Sequence, residues 1–366
     1  LNIKPMENTL PTYDDFALIL AWPDSTIRGD EAWMMFFKKI GLVKNLNFKV
    51  GHTGIVLVSR LSGELLYYDF GRYISPRGHG RARSKDSDPR LEIDFKAQFN
   101  AGGDISNLEE IVQQFEYIRD GMQGFGELYF SIASNINFDM AKNYADRIVN
   151  EGSTPYGAVA RGNNNCSRFI PRLLFNSSNK YHWLHSMNFP ETIKCSPISN
   201  IVNANSCRTV YSYLPETGLK CFRMNRWQSF FFLLSKLKDN INTYKSAQLP
   251  NDLIIGGMKF QSKPITLPIH AQYLGGVGEG AWYAFQVSER CQQVIISRYT
   301  ASGEWEYSVL GEADHTLNLH LPFEVTYDSH LLFTHVLQQN RKIAVKHVQR
   351  LRKDELQLAK VAELLA

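Results

Sequence analysis

The chain is expected to fold as an α+β protein of two domains, with residues 1–215 mixing strands and helices and residues 216–366 built mainly from strands. Three observations predict this. At 366 residues the chain exceeds what one hydrophobic core usually serves. In the first half, β-branched runs alternate with segments of helical period, whereas beyond about Pro215 the pattern becomes apolar–polar alternation. A hydrophobic share of 44% with 21% charged residues supplies real cores and excludes collagen-like, coiled-coil or long disordered chains.

The elements follow in order. Phe16 to Ala21 reads as a buried strand ended by Trp22-Pro23-Asp24, and Asp30 reads as the N-cap of an amphipathic helix through about Ile40. His52 to Val58, a turn at Ser62-Gly63 and a second run from Glu64 to Phe70 predict a β-hairpin. Ser75 to Arg90 is polar, charged and without periodicity, so it is expected to be a long, mobile surface loop. Helical spacing predicts helices over Asn107 to Met122 and Phe138 to Asn150, with Asn107 and Asn137 as caps. A Gly-, Ser-, Pro- and Asn-rich stretch after Glu151 then leads into Cys166 and an apolar run, which places Cys166 near a helix start. The second half offers one apolar helix, Trp227 to Leu237, then the alternating runs Ala281 to Val287, Val294 to Tyr299 and Glu304 to Leu310. Asp354 would cap a final helix through Leu365.

Composition excludes several function classes. A formal charge of +4 on a chain of this size does not predict a nucleic-acid partner. No run approaches the roughly 18 to 20 apolar residues that a membrane span needs, Phe230 to Leu234 being among the longest. Cys166, Cys195, Cys207, Cys221 and Cys291 are odd in number and lack metal-type spacing, so neither a disulfide framework nor a zinc site is expected. A reducing, cytoplasmic location fits this usage, while a first residue of Leu leaves a removed signal peptide open. His182 with His185 and His315 with His320 lack a companion carboxylate pattern, and Gly275 to Gly280 leads into a strand, so it reads as a hairpin turn and not a phosphate loop. No metal and no cofactor is predicted. Arg77, His79, Arg81, Arg83, Lys85 and Arg90 read as a solvated basic loop, partly neutralised by Asp86 and Asp88.

The chemistry centres on one cysteine. A thiol is a useful nucleophile only as thiolate, and a helix N-terminus and a nearby imidazole both lower its pKa. Gly162 and the three asparagines 163–165 form a cap-making turn that would present Cys166 at such a terminus, where backbone N–H groups can face an oxyanion. Gly152-Ser153-Thr154-Pro155-Tyr156-Gly157, followed nine residues later by Cys166-Ser167-Arg168-Phe169, resembles the "G-x-P-Y … D-C-S-G-F" region of NlpC-type cysteine peptidases. Those enzymes carry a strand beginning "H-V-G-I-Y" after the cysteine; here the matching Gly51-His52-Thr53-Gly54-Ile55-Val56 precedes it. The reversed order is similar to circularly permuted papain-like proteins, the lecithin retinol acyltransferase group and bacterial permuted relatives.

The resemblance implies a permuted papain-like (NlpC-like) first domain, with an antiparallel sheet and packed helices. It also implies Cys166 as nucleophile, His52 as its base within hydrogen-bond reach, and a polar residue on the adjoining strand that orients the imidazole. Asp69 is the candidate orienter, with Tyr67 on the same face by the strand period. Tyr156, Asn165 and Tyr67 are the candidate substrate and oxyanion residues. Two features depart from the peptidase pattern: Arg168 stands where a small residue is usual, and Pro171 would interrupt a helix begun at Cys166 unless it fell in the first turn. The expected activity is cysteine-dependent acyl cleavage, first of peptide amides such as those of cell-wall peptides. Lipid or thioester acyl transfer and a catalytically weak binding module on the same frame are the alternatives, so a peptide or acyl substrate is the expected partner.

Overall fold

The computed structural model describes residues 12–28, 32–49, 51–157, 162–179, 196–249, 262–276, 279–287, 293–315 and 317–352. Asp30, His182, His185, Cys195, Cys291 and the expected helix from Asp354 lie outside them. The chain opens with β1 (Asp15–Trp22), β2 (Thr26–Arg28), α1 (Ala32–Lys39) and β3 (Asn47–Lys49), then β4 (His52–Val58), β5 (Leu65–Gly71) and β6 (His79–Arg83). Next come α2 (Leu108–Tyr117), β7 (Leu128–Ile136), α3 (Phe138–Glu151), β8 (Thr154–Pro155) and α4 (Cys166–Ser177). The first half closes with α5 (Pro197–Asn203), β9 (Thr209–Leu214), β10 (Gly218–Arg223), α6 (Arg226–Ile241) and α7 (Thr243–Ala247).

Eight of these strands form one antiparallel sheet in the order β10-β9-β7-β1-β4-β5-β6-β8, while β2 pairs with β3. The central strands are buried on both faces, which is why Phe16 to Ala21 reads as a continuous apolar run. One face (Ile19, Ile55, Leu57, Phe70) packs on Ala141 and Ala145 of α3, Phe169 and Leu173 of α4, and Ile201 of α5. The other (Leu18, Leu20, Val56, Tyr67) packs on Ile111, Val112 and Phe115 of α2. Asn137 caps α3 by accepting from Met140 N at 2.8 Å, whereas Asn107 precedes α2 without a side-chain cap bond.

The segment from Ser75 to Arg90 is not the mobile surface loop expected from its composition. It contains β6 and a 3-10 turn at Pro89–Leu91, and Arg81, Arg83 and Asp88 are buried. Apolar periodicity misses such a strand because its inner positions alternate small residues, Gly80 and Ala82, with guanidinium groups that find partners inside the protein.

The β9–β10 hairpin carries the first sheet through residue 215 to Arg223, and the second sheet begins at Gln272. That sheet comprises β11 (Gln272–Gly275), β12 (Gly280–Val287), β13 (Gln293–Thr300), β14 (Trp305–Ala313), β15 (Glu324–Val325), β16 (Phe333–Gln338) and β17 (Arg341–Leu351) in the order β11-β12-β13-β14-β17-β16-β15. It is nearly closed: the side chain of Gln272, on one edge strand, accepts from Val325 N and donates to Phe323 O at the other edge, both at 2.8 Å. Inward alternation of Tyr283, Phe285, Ile296, Val309 and Val345 fills its core. Gly276 N donates to Glu279 O at 2.6 Å where β11 and β12 pair, while residues 277 and 278 of the expected hairpin turn lie outside the described residues. No helix among the described residues is long and apolar enough to cross a membrane.

Candidate active site

Four elements meet at one end of the first sheet. His52 is the first residue of β4, paired with Trp22 at the end of β1, and its ring stacks on the Trp22 indole at 6.5 Å and 16°. Asp69 on β5 pairs with Gly54 on one side and Arg83 of β6 on the other, so period two brings His52, Tyr67, Asp69 and Arg83 to a common face. Gly54 is required there: a Cβ at this position would lie 2.5 Å from Cε2 of Tyr67, whose ring occupies the space over Gly54.

Asp69 is fully buried and heavily supplied with donors. His52 Nε2 lies 3.2 Å from Oδ2, the hydroxyls of Tyr67 and Tyr73 donate to Oδ2 at 2.9 and 2.6 Å, and Arg83 donates through Nη2 to Oδ2 at 2.8 Å and through Nε to Oδ1 at 3.2 Å. Burial alone would push its carboxyl pKa up, but the Arg83 charge and the His52 bond outweigh that and hold it at about 2. The same balance acts on His52. Burial would lower its pKa, yet the bond to the Asp69 carboxylate and the neighbouring Cys166 raise it from 6.5 to about 9.

Cys166 is the first residue of α4 and is 5% exposed. Asn165 starts the helix with its Oδ1 accepting from Arg168 N at 2.8 Å, while its Nδ2 donates to Gly157 O at 3.2 Å and ties the cap to the preceding turn. Burial pushes the Cys166 thiol up, but the neighbouring His52 imidazole and the Ser167 hydroxyl, 3.8 Å from the sulfur, reverse this and lower it below its ordinary value. Pro171 lies within the helix without ending it. Its missing N–H leaves the Ser167 carbonyl, four residues back, without its intrahelical donor, and Asn200 Nδ2 of α5 donates to that oxygen at 2.8 Å.

Tyr156 completes the cluster from the turn after β8. Its ring stacks on Phe70 at 6.1 Å and lies under the Arg72 guanidinium at 4.5 Å. Burial and the neighbouring Cys166 push its hydroxyl pKa up, so it stays a neutral donor beside the sulfur.

Of the residues singled out from sequence, Cys166, His52, Asp69, Tyr156 and Tyr67 therefore share one buried cluster. Asn165 flanks it with its amide engaged in the cap and the Gly157 tether, and the Tyr67 hydroxyl is turned to Asp69. Sequence reasoning missed Tyr73 and Arg83. The signal that could have found Arg83 is the alternation Arg81-Ala82-Arg83 in the segment following the hairpin that carries Asp69, since a buried strand acid draws a buried base; no comparable signal marks Tyr73. Chemically, an imidazole whose proton is stabilised by a carboxylate can hold a neighbouring thiol as thiolate at neutral pH. Among the described residues no group of three His, Cys, Asp or Glu side chains could hold a metal ion.

Residues 17–183 match the family described as type VI secretion system effector TseH-like, and residues 271–348 match the family described as DUF6695 C-terminal domain. The first match spans His52, Asp69 and Cys166; the second spans most of the second sheet. Among solved structures, the crystal structure of the type VI secretion system effector TseH is similar to this chain, with 18% identity, 57% of this chain and 98% of that chain covered, and a TM-score of 0.38. A comparison with curated proteins gives no match.

Proposed function

We propose that the chain is a cysteine hydrolase of the circularly permuted papain-like kind, an effector whose first domain cleaves peptide amides, such as those of cell-wall peptides. The carrying observation is the buried cluster in which the Asp69 carboxylate lies 3.2 Å from His52 Nε2 and Cys166 neighbours the imidazole, so that both groups favour the charged form of His52. The match of residues 17–183 to TseH-like effectors supports the effector part of this reading.

In the proposed reaction the Cys166 thiolate attacks the carbonyl carbon and forms a C–S bond, while the carbonyl π pair moves to oxygen. The Tyr156 hydroxyl and the Cys166 N–H, which at the first position of a helix has no intrahelical acceptor, face that oxyanion. His52 then gives its proton to the departing amine as the C–N bond breaks, leaving a thioester. Water, deprotonated by His52, attacks the thioester; the C–S bond breaks and the imidazolium–thiolate pair is restored. Asp69 keeps the imidazole oriented throughout. The chemistry is assigned to the domain ending at Arg223, with the sheet from Gln272 as a second domain.

Iodoacetamide at pH 6 should label Cys166 selectively over the other four thiols, and Cys166→Ala should abolish release of new amino groups from cell-wall stem peptides. Selective labelling without any such release would favour the binding-module alternative, and unselective labelling would remove the thiolate from the reading.

A further inference from the structure

The second sheet touches the first at the residues that clamp Asp69. Arg83 binds Asp69 through Nε and Nη2, donates from Nη2 to Gly121 O at 2.8 Å, and reaches Asp88 Oδ2 through Nη1 at 2.9 Å. Asp88 is shared with Arg90, whose Nε and Nη2 donate to it at 2.9 and 2.5 Å. Arg90 continues outward: Nη2 lies 2.7 Å from Glu279, just before β12, and Nη1 3.2 Å from Glu306 of β14. Arg298 of β13 holds those two acids in place at 3.0 and 2.9 Å.

A second contact runs from the same turn that carries Glu279. A Cβ on Gly276 would lie 2.0 Å from the carbonyl oxygen of Tyr73, so the β11–β12 turn rests directly on the Tyr73 backbone. Tyr73 donates to Asp69 and lies under the Arg83 guanidinium, Cζ to ring centroid 3.4 Å. The next residue, Ile74, is buried in the core of the second sheet.

We propose that the C-terminal sheet is a positioning element for the thiol site, with Arg90 and Glu279 as positioning residues that fix Asp88 and hence the orientation of Arg83 on Asp69. The proposal rests on the cysteine-hydrolase reading. A buried guanidinium divides itself between the carboxylates around it according to what else satisfies them. With Arg90 anchored on Glu279 and Glu306, Asp88 is largely neutralised from outside and Arg83 is left to Asp69. Without that anchor Asp88 draws more strongly on Arg83, the bidentate grip on Asp69 loosens, and Asp69 stabilises protonated His52 less well. The charged and titratable groups facing this path are His52, Tyr67, Tyr73 and Arg83 around Asp69, then Arg83, Arg90 and Arg298 around Asp88.

The test uses the full chain with Arg90→Gln, Arg90→Lys and Glu279→Gln, reading the pH profile of Cys166 alkylation by iodoacetamide beside the melting temperature. For Arg90→Gln the rate at pH 6 should fall about threefold or more with the alkaline plateau unchanged, because the plateau reports the intrinsic thiolate and the acid limb its population. Arg90→Lys should recover part of the loss, and Glu279→Gln should shift the profile in the same direction by less. Profiles that superimpose on the unsubstituted protein while the melting temperature drops would overturn the proposal, since the contact would then only dock the sheets. If Cys166 of the unsubstituted protein reacts no faster at pH 6 than the other thiols, the hydrolase reading itself fails and the inference goes with it.

Discussion

His52 in the first sheet and His347 in the second are both withdrawn from water, and their protons behave oppositely. His347 is bonded to the Leu331 carbonyl and, at 2.8 Å, to the Thr334 hydroxyl, and burial lowers its pKa to about 4. His330 is pushed well below its ordinary value by burial, reinforced by Arg81 and the neighbouring histidines. His52 suffers the same burial but faces Asp69 and Cys166, and rises to about 9. Burial by itself makes a neutral structural histidine. A buried carboxylate, itself held ionised by an arginine, converts the same side chain into a proton-holding group beside a thiol.

The comparison breaks most directly at Asp69. Asp69→Asn should make His52 resemble His347: its pKa should fall to or below 6.5, the thiolate population of Cys166 at neutral pH should fall with it, and turnover should drop by about 10³ to 10⁴. Folding is checked by thermal melt, because Arg83 would lose one of its two carboxylates. An alkylation profile for Asp69→Asn that superimposes on the unsubstituted protein would show that another group sets the imidazole charge.

The two histidines should also leave opposite marks on stability. The folded pKa of His52 is raised above 6.5, so its contribution is fully present below pH 6.5 and is lost as pH rises through about 9; the shift corresponds to at most about 3 kcal/mol. The folded pKa of His347 is depressed, so folding favours its neutral form; that contribution is present above pH 6.5 and is lost as pH falls through about 4. Urea melts between pH 4 and 9 should therefore show that His52→Gln flattens the alkaline limb and His347→Gln the acid limb. The same limb responding to both substitutions would contradict the assignment.

Much of this contrast was readable in the chain. His52 and Asp69 sit on the two arms of a hairpin whose turn and alternation are local, and Asn165 announces the helix that starts at Cys166; each depends on neighbours within a few residues. What was not readable depends on distant partners. Arg83 lies in a strand with no apolar alternation, and its burial is intelligible only once Asp69 and Asp88 are seen around it. Pro171 looked like a helix breaker because Asn200, which supplies the missing donor, is 29 residues further along and its pairing follows from packing of α5 on α4. In the second half, alternation revealed strands Gly280–Val287 and Gln293–Thr300, but not the bonds of Gln272 that bring the sheet's edges together.

The smallest effect concerns the two phenols on Asp69, and it sharpens the comparison by asking how much neutral donors add to a charged one. Tyr73 donates at 2.6 Å with its hydroxyl 3.3 Å from His52 Nε2, while Tyr67 donates at 2.9 Å and fills the space left by Gly54. Both donors stabilise the ionised carboxylate, so removing either raises the Asp69 pKa from about 2 and weakens its hold on the imidazolium. A hydrogen bond to a charged group contributes roughly 1.5 to 3 kcal/mol, but Arg83 remains and takes up part of the loss, so His52 should fall by about half a unit to one unit. Tyr73→Phe should exceed Tyr67→Phe, since its bond is shorter and its hydroxyl also touches the imidazole. NMR titration of the His52 ring measures both. A larger fall for Tyr67→Phe, which keeps the ring and deletes only the hydroxyl, would mean that neither the shorter bond of Tyr73 nor its contact with the imidazole sets the order.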